Sequence, residues 1–68
     1  MRLKDMRVGE SGIFLAVPPS LFAAGISTGD EMRFLLERND IFVIDARGAR
    51  FALSKKIAEE AVLLRAHT

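Results

Sequence analysis

A mainly β fold, built as one small and strongly bent sheet, is predicted by three observations on this sequence. Short runs rich in β-branched and aromatic residues recur between Gly, Pro and Asn-Asp punctuation. Two brief stretches, LFAAG at 21–25 and KKIAEEA at 55–61, read as helix. The chain has 68 residues, a single domain too short for two sheets with a core between them, so its strands must curl around one core.

The elements follow in chain order. Leu3, Met6, Gly9 and Gly12 recur every three residues and suggest a tight lead-in that seals one end of the core. GIFLAV, 12–17, reads as the first strand and Pro18-Pro19 stops it. Ser20 is expected to cap the turn LFAAG, with Gly25 ending it in the left-handed conformation and Ile26 returning to the core. Ser27-Thr28-Gly29-Asp30 is a turn. EMRFLLE, 31–37, is a strand with Met32, Phe34 and Leu36 on one face and Arg33, Leu35 and Glu37 on the other. Asn39-Asp40 reverses the chain into IFVIDAR, 41–47, a central strand, and Gly48 allows a hairpin into ARFAL, 49–53, where Phe51 and Leu53 share a face.

Ser54 is a good N-cap for KKIAEEA, but Lys55 and Lys56 lie at the positive end of the helix dipole, so packing of Ile57 and Ala61 must hold this helix. VLLR, 62–65, then pairs with an earlier edge. Five short strands, one helical turn after the first and one after the fourth, make an SH3-like barrel the natural arrangement.

Composition narrows the function classes. There is no cysteine, which removes disulfides and thiolate metal sites together and fits a reducing cytoplasm. Ten basic and nine acidic residues, net +1, are spread along the chain, which disfavours a dedicated nucleic-acid module. The start, MRLKDMRVGE, has no apolar core behind its charges, and no apolar run approaches the ~20 residues that span a bilayer. Neither a signal peptide nor membrane insertion is expected. With 50% of residues apolar in so small a domain, some apolar surface should stay exposed and meet a partner.

No residue announces chemistry. The glycines of AGISTGDE are spaced like a phosphate cradle, but a strand rather than a Lys-bearing helix follows, so they read as turns. Gly9, Gly12, Gly25, Gly29 and Gly48 are all expected at structural turns. His67, the only histidine, is next to last and reads as a bystander. Glu59 and Glu60 diverge on a helix, and Asp30, Glu31 and Asp40 lie in turns or at strand ends, so no carboxylate pair is placed for acid–base work and any cation would be held weakly. The hydroxyl residues lack a histidine base. No catalytic residue, metal ligand set or cofactor is expected.

Two stretches remain as a candidate partner surface. Leu21 and Phe22 belong to a turn that is apolar on almost every side. Arg47, Arg50, Lys55 and Lys56 form the densest basic cluster, interrupted by Asp45, Glu59 and Glu60; a solvated face is the default reading and contact with an acidic protein the sharper one.

The order of these signals resembles the FeoA family, the small cytoplasmic ferrous iron transport protein A of bacteria. Its amino-terminal L..M..G..G stands here as Leu3, Met6, Gly9 and Gly12, and its L..(L/A)G(I/L)..G as Leu21, Ala24, Gly25, Ile26 and Gly29. Its closing hairpin, helix and strand stand as Gly48, Ala52, Leu53, Ala58, Ala61 and Val62. Two features depart from the family: Val17-Pro18-Pro19-Ser20 shortens the link to the first helix, and Phe22, Ala23 and Ala24 replace residues that are commonly basic. The resemblance implies an SH3-like barrel without enzymatic activity, acting on the cytoplasmic side with FeoB, the membrane transporter for ferrous iron. Three alternatives stay open: a relative of the SH3-like carboxy-terminal domain of iron-dependent repressors, a small nucleic-acid-binding barrel, and a self-associating homo-oligomer that buries LFAAG against its copy.

Overall fold

The computed structural model describes residues 1–66; His67 lies outside them. After a 3-10 turn at Leu3–Asp5 come strand β1 (Ser11–Ala16), helix α1 (Pro19–Ala23), strands β2 (Glu31–Arg38), β3 (Ile41–Ala46) and β4 (Ala49–Ser54), helix α2 (Lys55–Glu60) and strand β5 (Val62–Arg65). All five strands form one antiparallel sheet in the order β4-β3-β2-β1-β5. The domain is mainly β, with two short helices, as the alternation of β-branched runs and turns predicts.

Two irregularities bend the sheet. The register slips between Phe34 and Leu36 where β2 meets β3, and between Phe14 and Ala16 where β1 meets β5. An extra residue on one strand kinks it and increases its twist. The first slip also corrects the expected face pattern. Met32 and Phe34 are buried, but the residue inserted at Leu35 resets the alternation, and Leu36 is turned out to solvent.

The β2–β3 and β3–β4 reversals are two-residue turns with positive φ throughout: Asn39 and Asp40 in one, Arg47 and Gly48 in the other. Such turns match the twist of the strands they join. The third strand therefore ends at Ala46, and Arg47 sits in the turn at φ 53° rather than in the strand. Asn and Asp tolerate this conformation; for Arg47 it is a local strain that the hairpin imposes.

Two loops share one design. In Arg7-Val8-Gly9-Glu10 and Ser27-Thr28-Gly29-Asp30 the terminal carboxylate accepts the first residue's N–H, at 2.6 and 2.8 Å, and the glycine has φ near +95° (94° and 96°). The glycine N–H and the acid's carbonyl then pair with a strand residue: Gly9 and Glu10 with Phe34, Gly29 and Asp30 with Phe14. The Gly29 amide is thus spent on the Phe14 carbonyl at 2.8 Å, which leaves it no part in a phosphate cradle. Gly12, by contrast, is not at a turn. It lies within β1, where a Cβ would meet the Leu64 carbonyl oxygen at 3.2 Å and the Leu63 side chain at 3.3 Å, so its role is close approach to β5.

The core gathers Leu3, Met6, Phe14, Leu21, Ile26, Met32, Phe34, Phe42, Ile44, Ala46, Leu53, Ala58, Ala61 and Leu63, with the Phe34 and Phe42 rings stacked at 5.7 Å between centroids. Strands β4 and β5 are not hydrogen-bonded to each other; α2 connects them, with Ala58 buried, and its cap residue Ala61 is also buried. The N-terminus covers the other side of β5: Met1 and Leu63 exchange N–H to carbonyl bonds of 2.6 Å, and the Leu3 N–H donates to the Ala61 carbonyl at 3.1 Å.

Helix α2 carries the expected cap, the Ser54 hydroxyl accepting the Ile57 N–H at 3.3 Å. Ser54→Ala should cost about 1 kcal/mol, read as a fall in melting temperature of roughly 4–8 °C in a domain of this size, followed by circular dichroism.

Candidate functional site

The helix α1 corner is built from its backbone. Pro18 is the N-cap, with Pro19 at the first helical position, where a missing N–H costs nothing. Leu21 and Phe22 both donate their N–H to the Pro18 carbonyl at 3.0 Å. Ser20 is therefore inside the first turn and makes no cap hydrogen bond, contrary to the expectation from its residue type. At the other end the Gly25 N–H donates to the Phe22 carbonyl and the Ile26 N–H to the Leu21 carbonyl, each at 3.0 Å, with Gly25 at φ +100°. This is a Schellman ending, and it carries its usual apolar pair, since Leu21 and Ile26 are both buried in the core.

The corner separates two residues that sequence alone placed together. Leu21 is 2% exposed and belongs to the core, not to a partner surface; Phe22 is 68% exposed. Ala23 and Ala24 beside it are exposed as well. Pinning Leu21 inward through two consecutive backbone bonds turns its neighbour outward, because adjacent helical residues diverge by about 100°.

The basic cluster is likewise divided. Arg47 lies at the β3–β4 turn and pairs with Asp30 at 3.3 Å, which ties the loop after α1 to the tip of this hairpin. Arg50 stands on β4 opposite Asp45. Lys55 and Lys56 begin α2, exposed, at the far end of β4. Arg50 is the second residue of β4 and Lys55 follows its end, five residues on, so the two pairs are separated by about 16 Å or more. They mark the two ends of one edge strand and do not converge on a point.

Other exposed apolar residues were not singled out from sequence: Val8, Leu15, Leu36, Ile41 and Leu64. Leu15 follows plain alternation from the buried Phe14, whereas for Leu36 the signal that could have found it is a bulge, which no local motif here announces. Among the described residues, no three His, Asp or Glu side chains come together in a way that could hold a metal ion. No helix among the described residues is long and apolar enough to cross a membrane.

Comparison with solved structures places this architecture. The iron uptake regulatory protein FeoA superimposes with a TM-score of 0.85 over 97% of this chain and 96% of its own, at 22% identity. The fold is the FeoA fold. A FeoA-like protein from Clostridium acetobutylicum matches with a TM-score of 0.87 over 100% of this chain and 88% of its own, at 16% identity. A manganese-dependent transcriptional repressor in complex with manganese matches with a TM-score of 0.86 over 97% of this chain but 36% of its own, at 21% identity. No family model matches the sequence, and no curated protein does.

Proposed function

We propose that this chain is a non-enzymatic accessory protein of bacterial ferrous iron uptake, acting in the cytoplasm by contact with the FeoB transporter. The observation that carries this reading is the end-to-end likeness to FeoA, 97% of one chain on 96% of the other. The sequence signals that resemble the family have structural counterparts: Gly25 and Ile26 make the Schellman corner, and Gly9 and Gly29 make the paired glycine–carboxylate turns. Exposed Phe22 on a rigid corner is an anchor suited to a shallow apolar pocket of a partner.

A second reading has its own support. Manganese-dependent repressors contain this fold as about a third of a longer chain, so a domain that modulates a metal-responsive regulator fits the same architecture.

The test is an NMR titration of labelled protein with the cytoplasmic GTP-binding domain of the ferrous iron transporter from the same source, with and without GTP. Saturable shifts centred on Phe22 and neighbouring amides are the expected result. Silence with that domain, together with binding to a metal-dependent repressor from the same source, would overturn the uptake reading in favour of the regulator.

A further inference from the structure

We infer that the open edge of β4 is a strand-addition site for an extended acidic segment of a partner protein. Of the sheet's two edges, β5 is paired along its first residues with the N-terminal segment, whereas among the described residues β4 has no backbone hydrogen bond beyond those to β3. The two-residue turn at Arg47-Gly48 makes Ala46 and Ala49 a hydrogen-bonded pair. Alternation from there points Ala49, Phe51 and Leu53 at β3 and leaves the N–H and C=O of Arg50 and Ala52 facing outward.

Edges are normally blunted by proline, a bulge, a short length or charged side chains, the last of which repels an edge of like charge but not a strand of opposite charge. This one has six residues, no proline and an unbroken register with β3. Its flanks carry four cations, Arg47, Arg50, Lys55 and Lys56, within 46–58, a stretch with no Asp or Glu, although Arg47 pairs with Asp30 and Arg50 stands opposite Asp45 on β3.

Charge decides the occupant. Two copies pairing antiparallel through β4 would bring Arg47 and Arg50 of one alongside Lys55 and Lys56 of the other, a seam of like charges. An acidic strand meets the same groups with opposite sign. Its side chains would alternate, with carboxylates on the outer face beside Arg50 and apolar residues on the inner face against Phe51, which is only half-buried at the rim of the core. Docking by strand addition is one form that the partner contact proposed above can take, and it rests on that reading for its biological partner but not for its test.

The probe is a capped eight-residue peptide alternating Glu with Val, titrated into the full labelled chain. The expected result is amide shifts and slowed hydrogen exchange at Arg50 and Ala52, with binding that weakens as salt rises. Lys55→Glu combined with Lys56→Glu should weaken it roughly tenfold. Ala52→Pro, which removes an outward N–H that β3 does not use, should abolish it while circular dichroism stays native. Binding that survives Ala52→Pro, equal binding of a control peptide of the same length alternating Lys with Val, preferential binding of single-stranded DNA, or a β4-mediated dimer in the absence of peptide would each overturn the inference. Transporter-domain shifts confined to α1, with the acidic peptide inert, would overturn strand addition while sustaining the accessory role; peptide binding at β4 with an inert transporter domain would do the reverse.

Discussion

Leu21→Asp is expected to unfold the protein, whereas Phe22→Asp, one residue on, leaves its melting temperature nearly unchanged and removes partner binding. The difference rests on where α1 points the two side chains. Leu21 is 2% exposed, and a carboxylate there would be buried without a hydrogen-bond partner, at a cost far above that of a surface change. A domain of 68 residues holds only about 3–10 kcal/mol of stability in total. Even Leu21→Ala should remove about 2–5 kcal/mol, enough to leave a large unfolded fraction. Phe22, 68% exposed, gives up little packing, and surface changes of this kind stay within about 0.5 kcal/mol. Thermal denaturation of both variants checks the first half, and titration of Phe22→Asp with the transporter domain checks the second. A collapse of Phe22→Asp would place its ring in the core and remove the apolar anchor.

This pair also shows where sequence reasoning stopped. A five-residue helix is too short to display a periodicity, so nothing in LFAAG distinguishes its inward residue from its outward one. The decision comes from Pro18 and Gly25, whose backbone bonds orient the turn as a unit. Signals that act locally were legible: the Ser54 cap, the Asn39-Asp40 reversal, the left-handed Gly25 and Gly29. Signals that depend on a neighbouring strand were not. Leu36 faces solvent because β2 bulges against β3, and Gly12 is needed because β5 passes close by, neither of which its own flanking residues encode. The Asp30–Arg47 pair joins residues 17 positions apart, and the openness of β4 is a property of strand order. For the candidate partner surface this matters more than for the fold. Residue types nominated Leu21, Phe22 and the four cations, but the backbone of the corner removes Leu21 from the surface, and only strand order leaves the strand between the cations unpaired.

Gly25→Val should lower stability by about 2 kcal/mol, the cost of holding a β-branched residue in a left-handed conformation, or roughly 8–16 °C in melting temperature. Nothing lies within 4 Å of a Cβ built at Gly25, so the Cβ meets no neighbour and the cost is chiefly conformational. Gly25→Asn, whose side chain accepts this region more readily, should lose much less, and the gap between the two variants isolates the backbone term. The consequence reaches the surface, because the left-handed turn at Gly25 positions both bonds that end α1, its own N–H on the Phe22 carbonyl and that of Ile26 on the Leu21 carbonyl. Strain at Gly25 should therefore loosen the corner before it unfolds the sheet, seen as faster hydrogen exchange at Gly25 and Ile26 than at Ile44. A Phe22 anchor on a loosened turn must be ordered again on binding, so partner affinity should fall in Gly25→Val even at temperatures where the chain remains folded. An unchanged melting temperature, with exchange at Ile26 as slow as in the parent, would mean that α1 does not end in the left-handed corner and that Phe22 is held outward by something else.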